Sequence, residues 1–339
     1  MTSQLTAGIV GYGFAGRNIH LPALKQSGVH LIGIADNDKR ILAEAPSTVQ
    51  RFDDYYELLD KRPDIVAICT PDHLHAKMCV EAAERGINVL LEKPMAISST
   101  EASEVVGAAQ RNSVQVCVVH QFRYFEPFVK LKQVLDEHGL ADLVGGRILF
   151  LHGENPGSMP RAYTDDPSTA IPLPFHVVHP FYLLEWIFGK PTGVVGTQAG
   201  GSFFGLFQTS KGTVHVDLSQ LHTAGRHLLK IDANTSHISV EAADPPSLWF
   251  VGHNVRSDMR LTSKSCIGQT ARLSRLLAKY IVDKRVLYSF GASSLLIGKY
   301  VDSIRKGHAP PISLDEAARA VHYTEQYYKA CIEQTQIKI

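Results

Sequence analysis

The apolar pair Ile9-Val10 runs straight into Gly11-Tyr12-Gly13-Phe14-Ala15-Gly16, and this junction of strand and glycine turn constrains the chain more than any other stretch. The glycines of a G-x-G-x-x-G turn have separate physical tasks. Gly11 permits the tight turn off the strand, Gly13 lets the backbone approach a pyrophosphate, and Gly16 lets the next helix pack on the sheet. The start of that helix presents unpaired N–H groups and the positive end of its dipole to phosphates. Glycine turns are common, so the motif alone carries little weight. Its context carries more. A second apolar run, Leu31 to Ala35, ends in Asp36, twenty residues beyond Gly16, where a carboxylate can accept both hydroxyls of an adenosine ribose. Together these features predict a dinucleotide crevice lined by Gly11, Gly13, Phe14, Ala15, Gly16 and Asp36.

A chain of 339 residues exceeds what one hydrophobic core usually serves, so two domains are expected, 1–122 and 123–339. An apolar fraction of 45% with 20% charged residues describes an ordinary globular protein. The formal net charge of +1 gives no pull towards nucleic acid or an anionic membrane. Five scattered cysteines without a C-x-x-C pair point to free thiols in a reducing cytosol. No cationic stretch precedes an apolar one at the N-terminus, and no apolar run approaches the ~18 residues of a membrane span. The expected compartment is the cytoplasm.

Short apolar runs alternate with helical patterns through the first 120 residues, the signature of a parallel sheet wound by crossover helices. Predicted strands are Ala7–Val10, Leu31–Ala35, Ile65–Cys69, Asn88–Leu91 and Val114–Val119. One predicted helix covers Ala76–Arg85 and stops at Gly86; another opens on the capping box Ser98-x-x-Glu101 and runs to Arg111. The expected fold class is α/β, a Rossmann doubly wound parallel sheet followed by a second α/β domain. In that second domain Pro127–His138 and Val177–Phe188 read as helices, the latter closed by Gly189 and Pro191. Strands are expected at Val144–Leu151, Val194–Gln198, Ser202–Gln208, Thr213–Leu221, Leu228–Ile231 and His237–Val240. Turns such as Ser210-Lys211-Gly212 favour a mostly antiparallel sheet. Thr270–Val282, Ala292–Lys306 and Leu314–Gln334 read as helices. The segment 256–285 carries eight basic residues against Asp258 and Asp283, which fits a solvated face better than a site for an anionic ligand. Tyr280 is the single aromatic among these charges, so single-stranded nucleic acid is a poor match.

Open parallel sheets bind ligands at the carboxyl ends of their strands. The third predicted strand empties into Thr70-Pro71-Asp72-His73-Leu74-His75, where Pro71 fixes the chain and the Thr70 hydroxyl can bond phosphate or ribose. His73 and His75 lack cysteine or carboxylate companions at ligand spacing, so no metal is expected; they cap the helix or touch cofactor. The next strand ends in Glu92-Lys93-Pro94, and adjacent residues in extended chain point opposite ways. A lysine partly desolvated beside a nicotinamide can move protons, while a surface lysine before a turn fits equally well. His176 and His179 share a helix face at the start of the interrupting helix. They fit either a general base for an alcohol proton or packed core histidines. No G-x-S-x-G elbow, phosphate-loop or H-E-x-x-H motif occurs.

The runs I-V-G-Y-G-F-A-G, I-A-D ending at Asp36, A-I-C-T-P-D-H-L-H, L-E-K-P at 91–94, H-x-x-x-x-x-x-W-x-x-G from His179 and P-P-I-S-L-D-E-A from Pro310 resemble the Gfo/Idh/MocA oxidoreductases, typified by glucose–fructose oxidoreductase and inositol dehydrogenase. The resemblance spans nearly the whole chain. It implies an open, mainly antiparallel sheet in a second domain that binds substrate and often forms the oligomer interface, giving a homodimer or homotetramer. It implies NAD(P)-dependent interconversion of a hydroxyl and a ketone on a carbohydrate or polyol. By the same resemblance Lys93 binds substrate and assists proton transfer, His179 serves as acid/base, and Arg123 helps form the rim of the cofactor crevice.

Two positions depart from that pattern. Phe175 and Tyr182 stand where relatives often carry aspartates, four residues before and three after the histidine. Either His176 and Tyr182 substitute, or the proton relay differs. Arg161 and Tyr163 are candidate substrate contacts from loop position alone. Asp36 favours NAD over NADP, with Lys39 and Arg40 near enough to soften the preference and leave NADP open. Two rivals stand beside this reading: a glycosidase using bound NAD, and a non-catalytic dinucleotide-binding sensor or scaffold.

Overall fold

The structure, a computed structural model, describes residues 4–138, 143–153, 177–199, 202–221, 228–235, 238–244, 247–252 and 286–339. The predicted helix at 270–282 and the basic segment 256–285 lie outside the described residues. Two compact units are present, the first drawn from Met1–Gln121, Ile171–Tyr182 and Phe290–Glu325, the second from Phe122–Ala170, Leu183–Ser289 and Gln326–Ile339. The expected boundary at 122/123 describes only the first of several passages of the chain between them.

The first unit holds six parallel strands: β1 (Thr6–Val10), β2 (His30–Ala35), β3 (Gln50–Phe52), β4 (Ile65–Ile68), β5 (Asn88–Leu91) and β6 (Val116–Val118). Their order is β3-β2-β1-β4-β5-β6, so the winding reverses between β1 and β4. Such a switch point opens a crevice at the carboxyl ends of the strands. Crossovers are α1 (Leu21–Gln26), α2 (Lys39–Ala43), α3 (Tyr55–Leu59), α4 (His75–Glu84) and α5 (Ser99–Asn112). Side chains start three of them, α2, α3 and α5. Asp38 accepts the Arg40 N–H at 2.8 Å and Asp54 accepts the Tyr56 N–H at 2.9 Å. At α5 the predicted capping box forms, Ser98 Oγ accepting the Glu101 N–H at 3.2 Å while Glu101 accepts the Ile97 N–H at 3.1 Å. In this sheet the edge strand β3 escapes sequence reading. β3 spans three residues, two of them exposed and polar, and only pairing with β2 makes it a strand.

The second unit is built on an eight-stranded sheet ordered β13-β12-β11-β7-β10-β9-β8-β14. Its strands are β7 (Leu143–Gly153), β8 (Pro191–Ala199), β9 (Ser202–Thr209), β10 (Gly212–Leu221), β11 (Leu228–Thr235), β12 (Ile238–Asp244), β13 (Ser247–Gly252) and β14 (Gln336–Lys338). All neighbours are antiparallel except β7 and β10, as the mostly antiparallel reading requires. Helices α6 (Glu126–His138), α7 (His179–Phe188), α8 (Val286–Lys306) and α9 (Leu314–Glu333) complete the described chain. Gly189 closes α7 at φ +84°, the left-handed C-terminal position that favours glycine. Alternate strand residues form the core: Ile148 and Phe150, Val214 and Val216, Phe203 and Phe207 are all buried. Tyr327 of α9 lies parallel to Phe207 at 5.8 Å and donates to the Val216 carbonyl at 2.9 Å. It reaches the sheet because Gly205 has no side chain. Among the described residues, no helix is long and apolar enough to cross a membrane.

A Cβ at Gly205 would stand 2.5 Å from the Tyr327 ring. Gly205→Ala is therefore expected to destabilise the protein by about 1–3 kcal/mol, read as a lowered melting temperature.

Candidate active site

Backbone contact shapes the glycine turn. Gly11 has φ +86°, and a Cβ there would lie 2.7 Å from the Cys69 carbonyl at the end of β4. A Cβ on Gly16 would collide with the Gly11 carbonyl oxygen, so the turn and the following helix meet without room for a methyl group. Gly13 differs. A Cβ there would meet nothing within 4 Å, leaving its backbone open to an incoming group. The residues thus fit a dinucleotide pyrophosphate, held by Gly13 and its neighbours at the helix start. That helix begins as a π-helical turn, Gly16–His20, before continuing as α1. Phe14 is 64% exposed on the turn.

Asp36 follows directly on β2. Its carboxylate accepts the Tyr12 N–H at 2.7 Å and the Asp38 N–H at 2.9 Å. A carboxylate offers about four acceptor sites, so capacity for a ribose diol remains. Both nearby cations have carboxylate partners: Lys39 lies 3.0 Å from Asp53 and Arg40 lies 2.8 Å from Asp38. The Arg40 hydrogen bond holds the Asp38 carboxyl down to about 2.

At the ends of β4 and β5 several expected cofactor contacts turn out to serve the protein itself. His75 is buried, with Nδ1 2.7 Å from the Pro94 carbonyl and Nε2 2.8 Å from the Thr70 carbonyl. Both ring nitrogens face backbone oxygens, so His75 braces two strand-end loops. The Thr70 hydroxyl lies 3.5 Å from the Met78 sulfur, and Pro71 caps the short turn Asp72–Leu74. Glu92 points inward, 2.8 Å from His20 Nε2, and accepts the Lys93 N–H at 3.2 Å. Desolvation pushes the Glu92 carboxyl up, but His20, Lys93 and His75 outweigh it and hold it below the ordinary range. Lys93, the next residue, is half-buried.

His179 belongs with the nucleotide-binding unit. Its Nδ1 lies 2.9 Å from the Tyr182 hydroxyl, and the Tyr182 ring stacks on His120 with centroids 4.0 Å apart and planes 13° from parallel. His120 follows β6, so this stack seats the start of α7 at the carboxyl end of β6, beside the strand that carries Lys93. Arg123 falls in the second unit, its guanidinium 5.2 Å over the Trp186 ring. His176, Arg161 and Tyr163 lie outside the described residues. Sequence reading missed His20 and His120. The strand-end position of His120 was a usable signal; His20 carried none, because its partner is 72 residues away.

A glycine turn at the switch point of a six-stranded parallel sheet defines a Rossmann dinucleotide-binding protein. Residues 5–120 match the Gfo/Idh/MocA family model described as "Oxidoreductase family, NAD-binding Rossmann fold". A stretch of 152 residues is 30% identical to 2,7-anhydro-N-acetylneuraminate hydratase of Mediterraneibacter gnavus, covering 44% of this chain and 39% of that protein. Inositol 2-dehydrogenase of Salmonella typhimurium is 29% identical over 159 residues, 44% of this chain and 46% of its own length. The matched stretch spans less than half the length of these curated relatives. Levoglucosan dehydrogenase, solved with NADH and levoglucosan, superposes with a TM-score of 0.81 over 99% of both chains at 16% identity. The WlbA dehydrogenase of Bordetella pertussis, solved with NADH and UDP-GlcNAcA, gives 0.80 at 16% identity over 99% of this chain and 98% of its own. These structural likenesses establish the fold.

Removing His20 leaves a buried carboxylate without its partner, so His20→Ala is expected to cost about 3 kcal/mol in urea unfolding at neutral pH. Because the Glu92 carboxyl is lowered in the folded state, the pair stabilises fully above the ordinary carboxylate range. That contribution disappears as pH falls below about 4, and the gap between wild type and variant should narrow with it.

Proposed function

We propose that the protein is an NAD-dependent oxidoreductase interconverting a hydroxyl and a ketone on a sugar-like or polyol substrate. One observation carries the reading: Lys93 after β5 and the His120–Tyr182–His179 assembly after β6 occupy neighbouring strand ends of the sheet whose β1 leads into the glycine turn. Open sheets place their ligands there. When bound, the nicotinamide supplies hydride exchange. The chain supplies the rest. Gly11, Gly13 and Gly16 shape the pyrophosphate seat, Asp36 holds the ribose, and Lys93 and His179 meet the substrate oxygen. The relatives named for inositol and levoglucosan support the substrate class.

NAD is the preferred nucleotide. A 2′-phosphate would meet the Asp36 carboxylate, while Lys39 and Arg40 already face Asp53 and Asp38. Fluorescence titration is expected to show tighter binding of NADH than of NADPH. Four described cysteines are free, which supports a reducing compartment, and we place the enzyme in the cytoplasm. We place a homodimer or homotetramer contact on the open face of the second unit's sheet, where Phe204 and Val195 are each 38% exposed. Phe204→Glu is expected to lower the mass read by light scattering.

One matched relative is named a hydratase, which motivates a second reading: a reaction without net NADH production. Nicotinamide absorbance across a panel of polyols, sugars and anhydrosugars decides between them. Stoichiometric NADH supports the dehydrogenase; product without NADH supports the redox-neutral alternative. Lys93→Met is expected to lower kcat by at least about 10²-fold while NAD binding persists, the scale of a lost proton-transfer group. Unchanged turnover in this variant would remove Lys93 from the chemistry.

A further inference from the structure

His179 is backed by a phenol, and this decides which of its nitrogens carries the proton. His179 opens α7 and Tyr182 follows it by one turn, so the two share a helix face. Both are buried, and the Nδ1 to hydroxyl distance of 2.9 Å is a full hydrogen bond. The planes of the two rings stand 89° apart. Below, the buried His120 ring fixes Tyr182 through its stack at the end of β6. A stack on one face thus holds the ring that carries the hydroxyl, and His179 orients to that hydroxyl.

The direction of the bond follows from acidity. A phenol with a reference pKa of about 10 is the better donor, and a neutral imidazole nitrogen, whose conjugate acid sits at about 6.5, is the better acceptor. Tyr182 therefore donates O–H to Nδ1, and the neutral ring keeps its own proton on Nε2. An ionised carboxylate in the same place accepts only, so it would demand Nδ1–H and leave Nε2 bare as a base. Exchanging carboxylate for phenol reverses the outward face of the imidazole.

We propose that Tyr182 is a positioning residue that locks neutral His179 as the Nε2–H tautomer, so that His179 meets the substrate oxygen as a hydrogen-bond donor and Lys93 alone carries the proton. The inference rests on the oxidoreductase reading above. In reduction, the carbonyl carbon accepts hydride from the nicotinamide and the π pair of the C=O bond becomes a lone pair on oxygen. The Lys93 ammonium then gives that oxygen its proton. In oxidation the Lys93 amine takes the proton back while Nε2–H continues to donate to the oxygen. His179 undergoes no net protonation change in either direction.

Long-range proton–nitrogen correlation spectra of the full chain with NAD, labelled with ¹⁵N-histidine, test this directly, His179→Gln supplying the assignment. A pyridine-type Nδ1 and a pyrrole-type Nε2 are expected at pH values where His179 is neutral. Tyr182→Phe keeps a ring over His120 but removes the hydroxyl, and the Nδ1 signal is expected to leave its hydrogen-bonded position. A pyrrole-type Nδ1 in wild type, or identical spectra for wild type and a folded Tyr182→Phe, would overturn the proposal. The wild-type spectrum decides even if the variant does not fold. With a turned-over polyol, Tyr182→Phe should lower kcat roughly fivefold to tenfold with KM within about twofold, the worth of one buried hydrogen bond. Should wild type turn over no substrate, the oxidoreductase reading fails, while the tautomer spectrum still judges the Tyr182 assignment.

Discussion

Everything at the crevice depends on three backbone segments meeting without side chains between them. Gly11 turns against the Cys69 carbonyl and Gly16 sits against the Gly11 carbonyl. A single methyl group at either place would push the helix start off the strand ends. Close approach also explains why Gly13 differs from its neighbours. The first and last glycines of the turn are filled by protein, and the middle one faces open space. Phosphate recognition follows from that division, because a charged group can reach amide hydrogens only where no side chain intervenes.

A layer of buried polar pairs stands behind the turn and holds the strand ends in register. His20 reaches Glu92, His75 bridges the Pro94 and Thr70 carbonyls, and His120 supports Tyr182. These interactions join loops that are separate in sequence. Pairs of this kind add little net stability against a well-packed apolar alternative, yet losing one partner is costly because the other stays buried. Their value here is geometric. Glu92 turns to His20 and also accepts the Lys93 N–H, which ties down the backbone that carries the lysine. The same logic places His179: the phenol that holds it is held in turn by a ring fixed to the end of a strand.

Local chemistry was legible wherever its cause is local. The glycine turn, the acid after β2, the capping box at Ser98, the left-handed Gly189 and the alternation along β7 to β10 all depend on residues a few positions apart, and the structure reproduces them. Boundaries moved, by a residue or two at β6, which covers Val116–Val118 inside a longer predicted strand, and by four at the ends of β11 and β12. What escaped reading depends on distant partners. β3 and β14 are short edge strands that exist through pairing with β2 and β8. His75 looked like a cofactor contact because its position suits one, but two backbone carbonyls from other turns claim its ring.

The amino-acid sequence by itself determined the parallel nucleotide-binding sheet and its crevice, since glycine spacing and hydrophobic period act over single turns and strands. Only the tertiary structure decided that the segment bearing His179 joins the nucleotide-binding unit and that a phenol holds the imidazole there. Stacking of Tyr182 on His120 spans 62 positions of chain, and no local pattern encodes a contact formed only after both segments have packed.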